Sequence, residues 1–265
     1  MRGGRATVST ASYGAHPDQA GDLHLPAQRA PAVVCLLHGG FWRMPYGRDQ
    51  MTAMAADLAG RGFAVWNLGY RRLGVAGGGW PGTLDDVVAG IGHLARLAVE
   101  GIDLDLTRVV VCGHSAGGHL ALCAARRCGR PGVDQAHAGI LIRMAVGLAP
   151  LADLALAQRL DLGRGAVGEF LGGGTAAAPE RVRAASPRAL LPLGVPQLIL
   201  HGTGDDVVPI AMSREYAAAA RAAGDAVELV ELPGLGHMEH LEPASAAHRA
   251  LCDRLAERTA RPKGD

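Results

Sequence analysis

The stretch Val109–Gly117 reads Val-Val-Val-Cys-Gly-His-Ser-Ala-Gly and decides the fold of this chain. Its first four residues form a continuous apolar run, the pattern of a strand that is buried on both faces. The form Gly-x-Ser-x-Gly follows, which is typical of a sharp turn from a strand into a helix. Glycines are needed two positions either side of the serine, because any side chain there would collide with the adjoining strand and helix. We therefore expect Ser115 to be a nucleophile held clear of a sheet. The chain has 38 glycines, so this motif needs support from partners elsewhere in the sequence.

Strand and helix patterns alternate along the chain on both sides of this turn. The predicted strands are Ala6–Tyr13, Asp22–Leu25, Ala32–Leu37, Phe63–Trp66, Arg108–Cys112, Met144–Leu148, Val195–Leu200 and Val227–Leu232. The predicted helices are Met51–Ala59, one that begins near Thr83, Gly117–Arg127, Ala211–Ala222 and Ala244–Ala256. The alternation predicts a mainly parallel, eight-stranded sheet with helices on both faces. The first two strands are expected to be antiparallel and to lie at the edge of that sheet.

Two helix starts and one irregular interval refine this picture. Thr83–Asp86 has the Ser/Thr-x-x-acid form of a helix start. Pro243 suits the first turn of the last helix, where a missing N–H has no consequence. The interval Ala149–Leu193 is rich in Gly, Ala and Arg and shows no clear strand. We expect residues 1–265 to form a single domain with a short lid-like insertion at about 149–193, although a long crossover helix with solvated loops is the alternative.

Composition bounds the possible functions. The chain of 265 residues carries 26 basic and 25 acidic side chains, a formal net charge of +1. This balance argues against binding to nucleic acid or to an anionic membrane. No apolar run approaches the roughly 18 residues of a membrane span, and no signal-peptide pattern opens the chain, so we expect a cytoplasmic protein. The five cysteines are expected to be reduced thiols, and no spacing suggests a metal ligand set or an organic cofactor.

Two later segments supply partners for the serine. The run Leu198–Leu200 leads into a loop that contains Asp205 and Asp206, and a Gly-rich loop after the last strand carries His237. A serine needs a general base, and the base needs a carboxylate to fix its tautomer. The chain order of serine, acid and histidine matches an architecture in which each follows a strand. Together these pieces predict a catalytic triad.

A fourth segment, His38–Arg43, reads His-Gly-Gly-Phe-Trp-Arg and follows the third predicted strand. Acyl transfer builds negative charge on a carbonyl oxygen, which backbone N–H groups can stabilise. We expect these donors to come from Gly40 or Phe41 and from Ala116, the residue after the nucleophile. An ordinary glycine turn between a strand and a helix is the alternative.

These motifs resemble the α/β-hydrolase superfamily over about Val8 to Leu255. The stretch His38–Trp42 is similar to the His-Gly-Gly-x-Trp signature of kynurenine formamidases (arylformamidases) and related bacterial esterases. Gly113–His119, His201–Asp205 and Gly236–His237 also resemble that group. The resemblance implies an α/β-hydrolase fold with Ser115 as nucleophile, Asp205 as acid and His237 as base. Phe41 stands where hormone-sensitive-lipase-like esterases have a third glycine.

Several residues compete for these roles. Asp206 and Asp153 are alternative acids, and His240 is an alternative base with a structural or rim-lining role as the main expectation. Two further histidines, His114 and His119, are expected to be packed or hydrogen-bonded in the core, and His201 to shape the acid loop.

The substrate pocket is expected to draw on the few aromatic side chains, which make up 4% of the chain. The candidates are Trp42, Tyr46 and Trp80, with Phe170 and Leu171 from the insertion. Packing of Trp42 and Tyr46 as loop anchors is the alternative.

The sequence therefore predicts a cofactor-independent serine hydrolase of small-molecule esters, a carboxylesterase for short or aromatic acyl groups. The alternative is an arylformamidase that hydrolyses N-formyl aromatic amides such as N-formylkynurenine. The third alternative is a non-catalytic ligand-binding module on the same fold. Such a module would have no need to retain all the catalytic groups together, as this sequence does.

Overall fold

The computed structural model describes residues 7–128, 139–173 and 179–260. Its strands are β1 Thr7–Ser12, β2 Ala20–Leu25, β3 Ala32–Leu37, β4 Ala64–Leu68, β5 Asp105–His114, β6 Ile142–Leu148, β7 Gln197–Gly202 and β8 Val227–Leu232. They form one sheet in the order β1-β2-β4-β3-β5-β6-β7-β8. The pairs β1–β2 and β2–β4 are antiparallel, and all other neighbours are parallel. The predicted eight-stranded, mainly parallel sheet with an antiparallel edge is confirmed.

Helices cover both faces of this sheet. They are α1 Thr52–Gly60, α2 Gly82–Val99, α3 Ala116–Cys128, α4 Leu154–Arg159, α5 Ala166–Leu171, α6 Pro179–Ala185, α7 Ile210–Ala222 and α8 Ala246–Thr259. Because side chains alternate along a strand, Val33 and Val34 of β3 enter different cores. One core lies beneath α2, α3 and α7, and the other beneath α1 and α8. The central strand β3 is buried on both faces, which explains its unbroken apolar sequence.

The predicted start of α2 is confirmed to within one residue, since the helix begins at Gly82. The Thr83 hydroxyl accepts from the Gly79 N–H at 2.9 Å and donates to the Arg71 carbonyl at 2.6 Å. The Asp86 carboxylate is buried and forms an ion pair with Arg71 at 2.7 Å. The acid of the pattern thus engages a cation fifteen residues earlier, a contact that the pattern does not indicate.

The last helix also starts later than predicted. Helix α8 begins at Ala246, and the Ser245 hydroxyl caps it by accepting from the His248 N–H at 2.9 Å. Pro243 therefore lies before the helix and not in its first turn. The Ser245 hydroxyl satisfies one of the N–H groups in the first turn that have no acceptor within the helix, which favours a helix that begins directly after the serine.

The interval between β6 and β7 contains the short helices α4, α5 and α6 within the residues described, and no strand there. Helix α5 packs against the loops that follow β3 and β4, since the Trp80 N–H donates to the Phe170 carbonyl at 2.8 Å. Gly174, which is part of the predicted insertion, lies outside the described residues. Whether the interval acts as a lid stays a prediction.

Two further findings bear on the composition arguments. None of the described helices is long and apolar enough to cross a membrane. Cys35, Cys112 and Cys123 are buried thiols whose pKa values are raised by burial. They fill space in the core as small apolar side chains.

Candidate active site

Ser115 occupies a strained turn between β5 and α3. Its φ of +56° lies in the left-handed region, which a residue with a side chain adopts only when its surroundings enforce it. The Ser115 N–H donates to the Leu148 carbonyl at 2.8 Å, which ties the turn to the end of β6. The side chain is only 2% exposed. The turn thus holds one hydroxyl at the carboxyl edge of the sheet.

The two glycines of the motif are required by close backbone contact. A Cβ atom on Gly113 would lie 2.1 Å from the Gly117 carbonyl oxygen, and one on Gly117 would lie 2.2 Å from the Leu37 carbonyl oxygen. Both distances are far below contact between non-bonded atoms, and main-chain atoms cannot yield without moving β3 or α3. The steric reason given for these glycines is confirmed.

The Asp205 side chain is buried in the loop that follows β7, and its carboxylate is fully hydrogen-bonded. Oδ1 accepts from the N–H groups of Val207 and Val208 at 2.9 and 2.8 Å. Oδ2 lies 2.7 Å from His237 Nδ1 and 3.1 Å from His201 Nε2. Burial raises the pKa of this carboxyl, but the donors from His201, His237 and Val208 outweigh burial and hold the pKa well below its usual range. The side chain is therefore a carboxylate at neutral pH.

The competing acids lie elsewhere in the site. Asp206 is exposed, while the Asp153 carboxylate caps α4 by accepting from the Leu156 N–H at 3.0 Å. Of these three acids, Asp205 is the one that the structure brings to His237.

His237 follows β8 in a loop that packs closely on the end of β7. A Cβ atom on Gly202 would lie 2.0 Å from the Leu235 carbonyl oxygen, so the glycine allows this approach. Because a carboxylate only accepts hydrogen bonds, His237 Nδ1 carries the proton and Nε2 presents a lone pair. This is the tautomer that a general base requires.

Two neighbouring histidines frame His237. His114 Nε2 lies 2.9 Å from the His237 carbonyl oxygen, and their ring centroids are 4.5 Å apart. Burial, followed by the charges that His237 and His240 would carry, lowers the pKa of His114 to about 3. His114 is therefore neutral and donates to the His237 main chain, which fixes the loop beside Ser115. His240 is 1% exposed, and neither ring nitrogen has a partner in the described chain.

The loop after β3 passes directly over the serine. A Cβ atom on Gly39 would lie 3.2 Å from the Ser115 Cβ. Gly40 has a φ of +96° and Phe41 a φ of +52°, a turn that leaves their N–H groups without hydrogen-bond partners in the part of the chain described. Ala116 is the first residue of α3, so its N–H has no acceptor within that helix. Ala116 directly follows Ser115 in the sequence, and Gly40 and Phe41 directly follow Gly39, which lies over the serine.

Three of the candidate pocket residues are core residues in the structure. Trp42 is fully buried and stacks on Phe170, with ring centroids 4.3 Å apart, and Leu171 is fully buried beside them. Tyr46 is 47% exposed and Trp80 is partly exposed. The packing alternative thus describes the position of Trp42, while Tyr46 and Trp80 retain surface for a ligand.

One arginine ties the insertion to this loop, and sequence reasoning missed it. Arg43 donates to the carbonyl oxygens of Gly163 and Arg164 at 2.6 and 3.0 Å and to both oxygens of Glu169 at 2.8 and 2.7 Å. The Phe41 ring lies against Gly163, where a Cβ atom would come within 2.4 Å of it. These residues are about 120 positions apart, and no local pattern signals such a contact.

His119 is a hydrogen-bonded core histidine, as expected. Its Nε2 lies 2.7 Å from the Ala185 carbonyl oxygen, and burial lowers its pKa to about 4. The ring also meets the edge of Trp42, with centroids 5.1 Å apart. His119 therefore supports the contact between α3 and the insertion.

A second cluster, formed by side chains of α1 and α8, has the residue types of a metal site. Donor atoms of Asp57, His248 and Cys252 lie within 4.8 Å of one another, between α1 and α8. Asp57 accepts from Arg61 at 2.5 Å and lies 2.7 Å from His248 Nε2. The guanidinium already compensates the Asp57 charge, so an ion-pair network accounts for this cluster.

Comparison with known proteins agrees with this geometry. The BD-FAE family profile matches residues 22–219. Esterase LipQ of Mycobacterium tuberculosis is 28% identical over 219 residues, which cover 80% of this chain and 51% of LipQ. Kynurenine formamidase of Danio rerio is 29% identical over 117 residues, 43% of this chain and 37% of that protein. The chain thus spans about half the length, or less, of these two relatives.

A solved structure shows the same fold. The truncated form of a carbohydrate esterase from gut microbiota superposes with a TM-score of 0.82 at 20% identity, covering 98% of this chain and 99% of that chain. The order of elements, with the serine turn after β5 and the acid and histidine loops after β7 and β8, is that of the α/β-hydrolase fold. The chain belongs to the BD-FAE family, and its fold is the α/β-hydrolase fold predicted from the sequence.

Proposed function

We propose that this chain is a serine carboxylesterase that cleaves small or aromatic acyl esters, with Ser115, His237 and Asp205 as its catalytic triad. The observation that carries the proposal is the 2.7 Å hydrogen bond from His237 Nδ1 to the buried Asp205 carboxylate, at the sheet edge where Ser115 is held. The likeness to LipQ supports ester hydrolysis as the reaction.

In the first half of the reaction, Ser115 Oγ attacks the ester carbonyl while His237 Nε2 takes its proton. The Asp205 carboxylate stabilises the resulting imidazolium. The N–H groups of Gly40 or Phe41 and of Ala116 bind the oxyanion, and such donors contribute about 3–4 kcal/mol each. His237 then gives its proton to the leaving alcohol, and the acyl group stays on Ser115.

In the second half, His237 takes a proton from water as the water attacks the acyl-enzyme. Collapse of the second oxyanion intermediate releases the carboxylic acid and restores the Ser115 hydroxyl. No step requires a metal or an organic cofactor, since the protein groups supply the base, the nucleophile and the oxyanion donors.

The enclosure of the site favours small acyl groups. Ser115 and His237 are 2% and 6% exposed, and the insertion backs the Phe41 ring at Gly163. The exposed part of Tyr46, which contacts Gly40, offers an apolar surface beside the oxyanion donors. A flat aromatic acyl group and a short aliphatic one both suit such a site.

An arylformamidase is the second candidate, and the likeness to kynurenine formamidase favours it. The same triad would cleave an N-formyl aromatic amide, with an amine as the leaving group. Trp42, the residue that marks this resemblance, packs on Phe170 and His119. It therefore supports the shape of the loop and does not distinguish a formamide from an ester.

Parallel measurement of kcat/KM on p-nitrophenyl acetate and N-formylkynurenine tests the proposal. Ser115→Ala removes the nucleophile, and Ser186→Ala is the matched control because Ser186 is an equally buried serine whose hydroxyl accepts from the Leu154 N–H. We expect ester turnover to dominate, to vanish in Ser115→Ala and to persist in Ser186→Ala. Dominant deformylation that depends on Ser115 would move the assignment to an arylformamidase. If Ser115→Ala keeps both activities, the triad is contradicted. If the native chain shows neither activity, a non-catalytic binding module is favoured.

A further inference from the structure

A second histidine contacts the carboxylate of the proposed triad. His201 is at the end of β7 and is fully buried. Its Nε2 lies 3.1 Å from Asp205 Oδ2, the oxygen that also accepts from His237, and 2.9 Å from the Val208 carbonyl oxygen. Its Nδ1 lies 2.7 Å from the hydroxyl oxygen of Ser213, a fully buried residue of α7.

The partners of the ring fix its tautomer. Both groups beside His201 Nε2 are acceptors, a peptide carbonyl and an ionised carboxylate, so Nε2 carries the proton. Nδ1 of the neutral ring then has a lone pair and accepts from the Ser213 O–H. The result is a directed chain of hydrogen bonds from Ser213 through His201 to Asp205. Ser213 holds the ring in the orientation that points its donor at the carboxylate.

We infer that His201 is a positioning residue, which holds the Asp205 carboxylate against His237 by donating a second hydrogen bond to the same oxygen. This inference rests on the proposed function, because it concerns the acid of that triad. Oδ1 is fixed by the N–H groups of Val207 and Val208, so with His201 in place the carboxylate cannot rotate away from His237. His201 does not touch the substrate and acts through Asp205.

The second donor also changes the electrostatics of the pair. A hydrogen bond withdraws negative charge from a carboxylate, so Asp205 stabilises the His237 imidazolium less than an unshared carboxylate would. Removal of His201 therefore has two opposed effects: it restores charge to the carboxylate, and it lets the carboxylate turn away from His237, which weakens their hydrogen bond. The other titratable groups around the pair are His114 on β5, His240 and Glu239 in the turn Glu239–Leu241, Asp206 in the acid loop and Glu231 on β8.

The variants separate donation from packing. His201→Phe keeps a ring but removes the donor, whereas the amide N–H of His201→Gln can still donate to Asp205. Ser213→Ala leaves His201 in place and removes the group that orients it. Tyr216→Phe is the matched control, because it deletes one buried hydrogen bond on the same helix, from the Tyr216 hydroxyl to Gln197 Oε1 at 2.7 Å, without contact to His201.

Two readouts test the inference: the separate values of kcat and KM for p-nitrophenyl acetate, and the NMR signal of the His237 Nδ1–H proton, which reports its hydrogen bond to Asp205. In His201→Phe we expect kcat to fall by about 10- to 100-fold, as for other groups that orient a catalytic ligand, with KM little changed, and the Nδ1–H signal to broaden or disappear. His201→Gln should recover most of both properties, Ser213→Ala should lie between, and Tyr216→Phe should change neither. If His201→Phe does not fold, the comparison of His201→Gln with Ser213→Ala decides.

A His237 Nδ1–H signal in His201→Phe that matches the native one, or an equal loss of that signal in Tyr216→Phe, would overturn the role of His201. If His201→Phe is unfolded, a native signal and a native kcat in Ser213→Ala would overturn it. The NMR signal is measured without turnover. A native chain that has no esterase activity, and whose Nδ1–H signal is lost in His201→Phe, would therefore refute the proposed function and support the positioning role.

Discussion

Acidification should destabilise this protein well above the pH at which carboxylates titrate. Four histidines, His38, His114, His119 and His240, are buried, and burial lowers their pKa values to about 3 or 4 from an ordinary value of 6.5. In the unfolded chain these rings bind protons below about pH 6.5, whereas in the folded chain they stay neutral until about pH 4. The unfolded state thus binds more protons in this window, so stability falls as the pH drops through it.

The size of the effect follows from the width of the window. One neutral buried histidine lowers the free energy of unfolding by about 1.4 kcal/mol for each pH unit below 6.5, which is about 2 kcal/mol at pH 5. Four such groups together remove about 8 kcal/mol, a value comparable to the whole stability of a typical domain, about 5–15 kcal/mol. We expect the protein to be folded at pH 7 and to lose a large part of its stability between pH 7 and pH 5.

Urea unfolding followed by tryptophan fluorescence at several pH values between 7.5 and 5 measures this directly. His119→Gln serves as the matched variant, because an amide can replace the donor to the Ala185 carbonyl without titrating. Its free energy of unfolding should fall less steeply with pH, by about 1.4 kcal/mol per pH unit, since one proton fewer is taken up on unfolding. A free energy of unfolding that stays constant from pH 7 to 5, or equal slopes in both proteins, would refute the argument.

Three further experiments, each with its own substitutions, test other parts of the account. Gly117→Ala places a Cβ atom 2.2 Å from a main-chain oxygen and should lower the free energy of unfolding in urea by about 3 kcal/mol or more. Gly60→Ala is the control, because its Cβ atom would have no atom within 4 Å, and it should not have this effect. Similar losses in the two variants would contradict the steric argument. Glu169→Gln should lower the free energy of unfolding by less than about 1 kcal/mol, because the carboxylate is 54% exposed. Arg43→Ala should lower it more, because the hydrogen bonds to two carbonyl oxygens are lost as well. Trp42→Ala should destabilise by about 3–5 kcal/mol and leave the ratio of rates on acetate and benzoate esters unchanged; a changed ratio would restore its pocket role.

Much of the fold could be predicted because buried strands carry unbroken apolar runs. The bounds of β3, an unbroken apolar run, match their predicted range. The bounds of β8 also match, although two glutamates interrupt its apolar sequence and most of its residues are half-buried, because Pro233 and Gly234 follow it as turn residues. Strand β5 extends back to Asp105, beyond the predicted start at Arg108. Polar residues can continue a strand where neighbours pair with it, and Asp105 pairs with Ala32. Apolar periodicity alone does not detect such an extension.

The residues of the proposed triad and the candidate oxyanion loop could be picked out of the sequence because each follows a strand and lies beside glycines that allow close approach. The contacts that join distant segments could not be located in this way. The pattern at Thr83–Asp86 marks the start of α2 but does not indicate that Arg71 binds Asp86, and the role of Arg43 depends on an insertion about 120 residues later. Ion pairs of this kind depend on the final packing and leave no local signature in the sequence.

The central claim is that Ser115 is a nucleophile activated by His237. Reaction of the folded protein with a fluorophosphonate, read by intact mass and peptide mapping, tests it without a choice of substrate. The account predicts one covalent adduct on Ser115, no adduct in Ser115→Ala and a strongly slowed reaction in His237→Ala, with Ser186→Ala labelled like the native chain. Labelling at another residue, or a native chain that stays unlabelled while folded, would contradict the account.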